Sequence, residues 1–283
     1  MEFVRNRDAH PWPGHELEFG LVGTVAGFVV YAVIAWLIKA VTGIPWRSGD
    51  LEKDAARKIK PRFKALSILD QDALYGMHWE LRSCIHSLTA PYLALWIMVY
   101  ASPEILVDPV TTTSWYMVLL LSVDVGYYCY DMFWMVYYKG EFDIIFFAHH
   151  VVALSTYGPV LFTGTFVGIG AVTYLYHIPT VVGNILTYYT NARKERSIGH
   201  KLFTAFILLL WIPCRFGATV ATGYVVYVHW TVISLMPKFQ IFSVIVFAVG
   251  FMALFNTVAF VQYSQRLMRS FGSERKVEET KQD

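Results

Sequence analysis

SVDVGYYCYDMFWMVYYKGEFDIIFFAHHVVALSTY, residues Ser122 to Tyr157, holds the ends of two apolar runs joined by a short charged turn. Extended to 114–138 and 142–163, each run has the roughly 20 apolar residues that a helix needs to cross a bilayer. Yet the stretch contains Asp124, Asp131, Asp143, His149 and His150. An ionisable side chain at membrane depth costs at least about 2.5 to 3.5 kcal/mol on insertion scales, so such groups must face a bundle interior or a cavity. Two membrane helices with a polar inner face therefore require further helices around them.

Those helices are legible on either side. Apolar runs recur at 20–41, 79–101, 166–190, 201–228 and 239–264, which makes seven candidate spans. Composition agrees: of 283 residues, 56% are hydrophobic and 17% aromatic, and only 16% are charged. A soluble domain carries about 25% charged residues. The fold class expected is all-α, a polytopic transmembrane helical bundle. The net charge of +2 gives no basis for a nucleic-acid partner.

Lysine and arginine are unevenly shared between the loops. One face collects Arg47, Lys53, Arg57, Lys58, Lys60, Arg62 and Lys64, then Lys139, Arg193, Lys194, Arg196 and Lys201, then Arg266, Arg269, Arg275, Lys276 and Lys281. That is 17 residues, against three on the other face, Arg5, Arg7 and Lys238. The positive-inside rule then makes the N-terminus luminal or extracellular and the C-terminus cytosolic. The first apolar run is followed by no small-residue cleavage site and is expected to stay as an anchor. The division that follows is an N-terminal segment 1–19, a first transmembrane anchor 20–41, a basic cytosolic loop 42–74, a six-helix membrane domain 75–265 and a soluble tail 266–283. Cys84, Cys129 and Cys214 fall inside spans, where they read as small packed apolar residues. Trp46, Trp79, Trp115 and Trp230 stand near span ends, and Pro91, Pro159, Pro179 and Pro213 are expected to kink their helices.

The polar groups inside spans fall into layers. His86, Asp131 and His149 each lie about seven residues from the cytosolic boundary, roughly 10 Å at 1.5 Å per residue. Asp124, Tyr127, Tyr128 and Asp131 follow the i, i+3, i+4, i+7 spacing and share one helix face. Arg82 and His86 share another, His177 and Asn184 a third, and Arg215 sits near the middle of the sixth span. The economical arrangement is a chamber opening toward the cytosol. For Arg215, Asp124 and Asn184 taken singly, a helix-to-helix hydrogen bond is an equal reading, and Asp143 near a span end suits a helix cap. The His149–His150 pair differs, because neighbours on a helix lie about 100° apart and one would meet lipid unless both line an interior. Buried imidazoles beside a carboxylate can act as a general base or nucleophile. Asp131 is the best-placed orienter. A metal is not expected, since no H-E-x-x-H motif is present.

The stretch Ser122 to Tyr157, with its HHVVALSTY run, resembles the core of the TLC domain, named for the translocation-associated, ceramide synthase and neuronal ceroid-lipofuscinosis membrane proteins. WELRSCIHSLTAPYLALW at 79–96 and YHIPTVVGNILTYYTN at 176–191 extend the likeness over roughly residues 75–265. In ceramide synthases, the resemblance implies, an acyl-CoA is joined to a sphingoid base with the double histidine at the reaction centre and an acyl-histidine intermediate. His149 and His150 occupy that motif. The two aspartates those synthases carry on the next span are missing here, where the stretch reads His177, Ile178, Pro179, Thr180, Val181. The small TLC-domain proteins commonly have Glu and, seven residues later, Asn; this chain matches that spacing with His177 and Asn184.

The likeness is therefore closer to those small proteins, which are linked to lipid homeostasis and trafficking. Two functions follow as expectations. One is N-acyl transfer: His149 or His150 attacks the thioester or deprotonates the amine, Asp131 orients it, and Tyr127 or Tyr128 together with Arg82 stabilises the oxyanion. The basic loops would attract CoA phosphates. The other is a non-enzymatic lipid-binding, trafficking or membrane-composition role for the same groups. The remaining candidate lipid contacts are His86, Asp124, His177, Asn184 and Arg215. No cofactor is expected beyond acyl-CoA as co-substrate. Membrane lipids, a sphingoid base and further copies of the chain are the expected partners, and the endoplasmic reticulum is the membrane the family suggests.

Overall fold

The computed structural model describes residues 16–42, 77–137, 144–191 and 197–279. The basic segment 43–76, Lys139, Asp143, Arg193, Lys194, Arg196 and Trp46 lie outside the described residues, as do the N-terminal 15 residues and Lys281. The described residues form helices and turns only. In chain order these are α1 (Glu16–Thr42), α2 (His78–Trp96), α3 (Glu104–Val107), α4 (Trp115–Tyr137), α5 (Ile144–Thr163) and α6 (Val167–Thr173). They continue with α7 (Ile178–Asn191), α8 (Ile198–Trp211), α9 (Ala218–Val228), α10 (Trp230–Ile233), α11 (Lys238–Phe242) and α12 (Met252–Glu279).

Several of these join end to end into six segments long and apolar enough to cross a membrane: Leu17–Val41, Glu80–Ala101, Ile144–Thr163, Val167–Thr190, Ile198–Val228 and Lys238–Ser270. They fall on six of the seven expected spans. The seventh, 114–138, is α4, which is long enough but carries Ser122, Asp124, Asp131 and a run of tyrosines. It tolerates them by being enclosed: Met117, Leu121, Tyr127, Tyr128 and both aspartates are buried. The surrounding helices turn the opposite way, with Val22, Val25, Val29 and Val33 of α1 exposed, as a lipid-facing surface requires.

The first helix is more than an anchor. It carries Gly23-Thr-Val-Ala-Gly27, a GxxxG pattern of the kind that lets membrane helices touch backbone to backbone. A Cβ placed on Gly27 would lie 2.7 Å from Val123 Cα, and one on Gly126 would lie 2.6 Å from Phe28 N. Only glycine fits at this crossing of α1 and α4.

Helix regularity breaks where the sequence gives a reason. Pro213 lies in a π segment, Ile212–Gly217, and a 3₁₀ turn, Tyr174–His177, precedes Pro179; proline lacks the N–H that an α-turn would use. Two further π segments, Ile97–Ala101 and Ser243–Phe251, follow α2 and lead into α12, respectively. Pro91 and Pro159, also expected to kink their helices, lie within continuous α-helix. Gly164 takes a left-handed φ of 64° in the turn between α5 and α6, and the Phe166 N–H donates to Val110 at 2.8 Å to hold that turn against the loop before α4. The helical state of α12 continues to Glu279, past the point near 265 where the tail was expected to begin. Trp115 and Trp230 each open a helix.

Candidate functional site

The bundle encloses a cavity of about 600 Å³, within the range of sites that hold drug-sized or lipid-sized ligands. Its lining runs from Glu80, Ile145 and Arg266, near the ends of their membrane-spanning segments, inward to Thr173 and Ala248. Nine of the residues expected to act together line it: His86, Tyr127, Tyr128, Asp131, His149, His150, His177, Asn184 and Arg215. Arg82 and Asp124 sit one layer behind. Around the polar groups the wall is apolar, with Phe146, Met252, Phe255 and Val258 among its members.

Arg82 and Asp131 form an ion pair, both almost fully buried. The guanidinium also lies 4.7 Å from the Tyr130 ring centre. Oδ2 of the same carboxylate stands 3.3 Å from Nε2 of His150, whose Nδ1 is 2.7 Å from the Phe146 carbonyl oxygen. A carbonyl and a carboxylate both accept, and a neutral imidazole carries one N–H, so the His150 ring is held between two protein acceptors and donates to one of them. Each of its nitrogens thus has a protein oxygen as a polar neighbour. Asp131 is thus the orienter of His150 specifically, and Arg82 is engaged in holding Asp131.

His149 is the contrasting member of the pair. Its ring stands perpendicular to that of His150, with centroids 5.7 Å apart, and stacks on Phe255 of α12 at 5.1 Å. Its Nδ1 is buried without a hydrogen-bond partner. The adjacent positions, 100° apart on α5, have been put to different uses: one imidazole is locked into the helix packing and the other is left open at the cavity wall.

Deeper in the bundle, His86, Asp124 and His177 bring their polar atoms within 4.8 Å of one another. Nδ1 of His86 bonds the Tyr31 hydroxyl at 2.8 Å and lies 3.6 Å from Asp124, and its ring stacks on Tyr127 at 4.0 Å. His177 Nε2 bonds the Tyr128 hydroxyl at 3.1 Å. Two histidines and a carboxylate are the donor types of a divalent-metal site, although one nitrogen of each imidazole is already engaged by a tyrosine. Tyr31 was not among the expected residues, because α1 reads as an isolated anchor until its glycines are seen to press it against α4.

The remaining two candidates divide. Asn184 donates to the Glu80 carbonyl at 3.2 Å and reaches Cys84 Sγ at 3.4 Å, so it ties α7 to α2 as well as lining the cavity. Arg215 donates to Thr180 Oγ1 at 3.2 Å and more weakly to Asn256 Oδ1 at 3.4 Å, and lies 4.8 Å from the Trp211 ring centre. The roles of Thr180, Asn256 and Phe255 were not anticipated, since none is ionisable.

The model of the TLC domain matches residues 79–264. The chain belongs to the TLC domain family. The match covers α2 to the first half of α12 and so contains every cavity-lining group named above except Arg266. No curated protein and no solved structure matches the chain. It is a membrane protein of helical architecture, and the TLC domain is its principal unit.

Proposed function

We propose that this TLC-domain protein acts in lipid homeostasis by binding a long-chain lipid in its cavity and transferring an acyl group through His149. The observation that carries the reading is the imidazole of His149, with its Nδ1 unpartnered, on the wall of a cavity that combines polar groups with apolar side chains such as Phe146, Met252, Phe255 and Val258. In the transfer, the unprotonated nitrogen of His149 attacks the thioester carbonyl of an acyl-CoA. The new N–C bond forms as the C–S bond breaks, and the CoA thiolate takes up the proton that the acylated imidazole releases. A lipid amine then attacks the same carbonyl, the C–N bond to His149 breaks, and one amine proton returns to the imidazole. His150, held by Asp131 and Phe146, keeps α5 in register; the Tyr127 and Tyr128 hydroxyls are the donors placed to meet oxyanion charge.

The finer assignments belong to the same proposal. The protein resides in the endoplasmic-reticulum membrane, a reading that rests on the family likeness, and its N-terminus is luminal, a reading supported by the 17-to-3 division of lysine and arginine. Incubation of the purified protein with labelled long-chain acyl-CoA should give a hydroxylamine-sensitive adduct that His149→Ala abolishes. No adduct across chain lengths would reject transfer. In that event the second reading, lipid binding without chemistry, takes its place; it is favoured by the commitment of His86, His150 and His177 to neighbouring side chains.

A further inference from the structure

Arg215 lies in the π segment at the middle of the Ile198–Val228 span, and is 6% exposed. Its surroundings contrast with those of Arg82 in the same bundle. Arg82 meets a carboxylate. Arg215 forms no ion pair among the described residues; its hydrogen-bond acceptors are a hydroxyl and an amide, and the acidic groups nearest in electrostatic terms are the phenols of Tyr263, Tyr176 and Tyr128 and the Cys214 thiol. A guanidinium has five N–H donors. Two are used, and Nε is buried with no partner. Stacking over Trp211 and Tyr176 spreads the charge over two ring faces without neutralising it.

A buried cation without a counter-ion is strongly disfavoured at this depth. The π geometry, a form that clusters at functional sites, occurs where this cation borders the cavity that His149 also lines. The two are close enough to interact electrostatically.

We propose that the lipid held in the cavity carries an anionic group, a carboxylate or a phosphate, that pairs with the Arg215 guanidinium at mid-membrane depth. This deepens the functional reading by naming the ligand class, and rests on it only in taking the cavity to be a lipid site. The charged group lies inward at Arg215, and the hydrocarbon chain lies along the apolar wall formed by α5 and α12.

The test compares ligands of one chain length in the purified full chain. Binding is measured for hexadecanoic acid against hexadecanol, and for a monoacylglycerol phosphate against the monoacylglycerol. Tighter binding of the acid alone points to a carboxylate ligand, and of the phosphate to a phospholipid headgroup; either supports the proposal at about tenfold or more over the uncharged counterpart. Arg215→Gln should remove the preference while hexadecanol affinity stays within about twofold, and Arg215→Lys should keep part of it. Equal affinities within both pairs in the unaltered protein would overturn the assignment, as would a preference that survives Arg215→Gln. Failure of acyl transfer from acyl-CoA would leave these binding differences untouched, so the two readings fail separately.

Discussion

The substitution Gly126→Ala should destabilise the bundle although it adds a single methyl group and replaces glycine with the better helix former. The added Cβ would fall 2.6 Å from Phe28 N and 2.9 Å from Gly27 C, and closer still to the Thr24 carbonyl oxygen. Ordinary carbon contacts begin near 3.5 Å, so α1 and α4 must part by roughly 1 Å. All the opposing atoms are backbone and cannot rotate away. The separation would stretch the 2.8 Å bond from Tyr31 to His86 toward the limit of hydrogen bonding. Overpacking of this kind costs about 1–3 kcal/mol. Gly223→Ala in α9 is the internal control: its Cβ would meet only Val249 Cγ1 at 3.9 Å, so the propensity gain of up to about 1 kcal/mol should be realised. Thermal unfolding in detergent, followed by size-exclusion fluorescence, reads both. Equal shifts for the two variants, or a stabilised Gly126→Ala, would refute the close crossing and the place of α1 in the domain.

Other consequences follow from the polar groups. Arg82→Met leaves the Asp131 carboxylate without its cation and should cost about 3–5 kcal/mol, much of it recovered in the Arg82→Met/Asp131→Asn double variant, both measured by the same melting assay. Asn184→Leu removes one interhelical tie and should cost only about 0.6 kcal/mol, the mean for such bonds in a membrane protein. In the loop before α4, burial pushes the Asp108 carboxyl up, but the Thr111 hydroxyl and the Thr111 and Val110 N–H groups hold it below the ordinary carboxylate range. Its contribution is therefore present above about pH 4 and is lost as pH falls through the depressed folded value. Melting curves across that acid range should show a larger acid sensitivity in the unaltered protein than in Asp108→Asn.

Much of this fold could be read in advance because a bilayer imposes a long, simple pattern. Runs of about 20 apolar residues mark the spans, and the heptad of Asp124, Tyr127, Tyr128 and Asp131 marks the inward face of α4. Periodicity says which face a residue shares, and not whom it meets across the bundle. Hence Arg82 could be placed at membrane depth from sequence, while its pairing with Asp131, 49 positions away, could not. The same limit hid the difference between His149 and His150, which depends on a backbone carbonyl at Phe146 and an aromatic ring at Phe255. Tyr31 had a legible signal in the Gly23-xxx-Gly27 motif, which implies a partner helix pressed against α1. Asn256 and Thr180 had none, because an amide and a hydroxyl become informative only when an unpaired guanidinium is found beside them.

The cavity beside His149 should hold the acyl chain of a bound lipid. Photo-crosslinking of the purified protein with a long-chain lipid bearing a diazirine in its acyl chain, followed by peptide mapping, tests this directly. Label should concentrate on α5 and α12, at Phe146, Phe255 and Val258, and should be displaced by excess unlabelled lipid. Label confined to the outward valines of α1, Val25 and Val33, and insensitive to competitor, would contradict it.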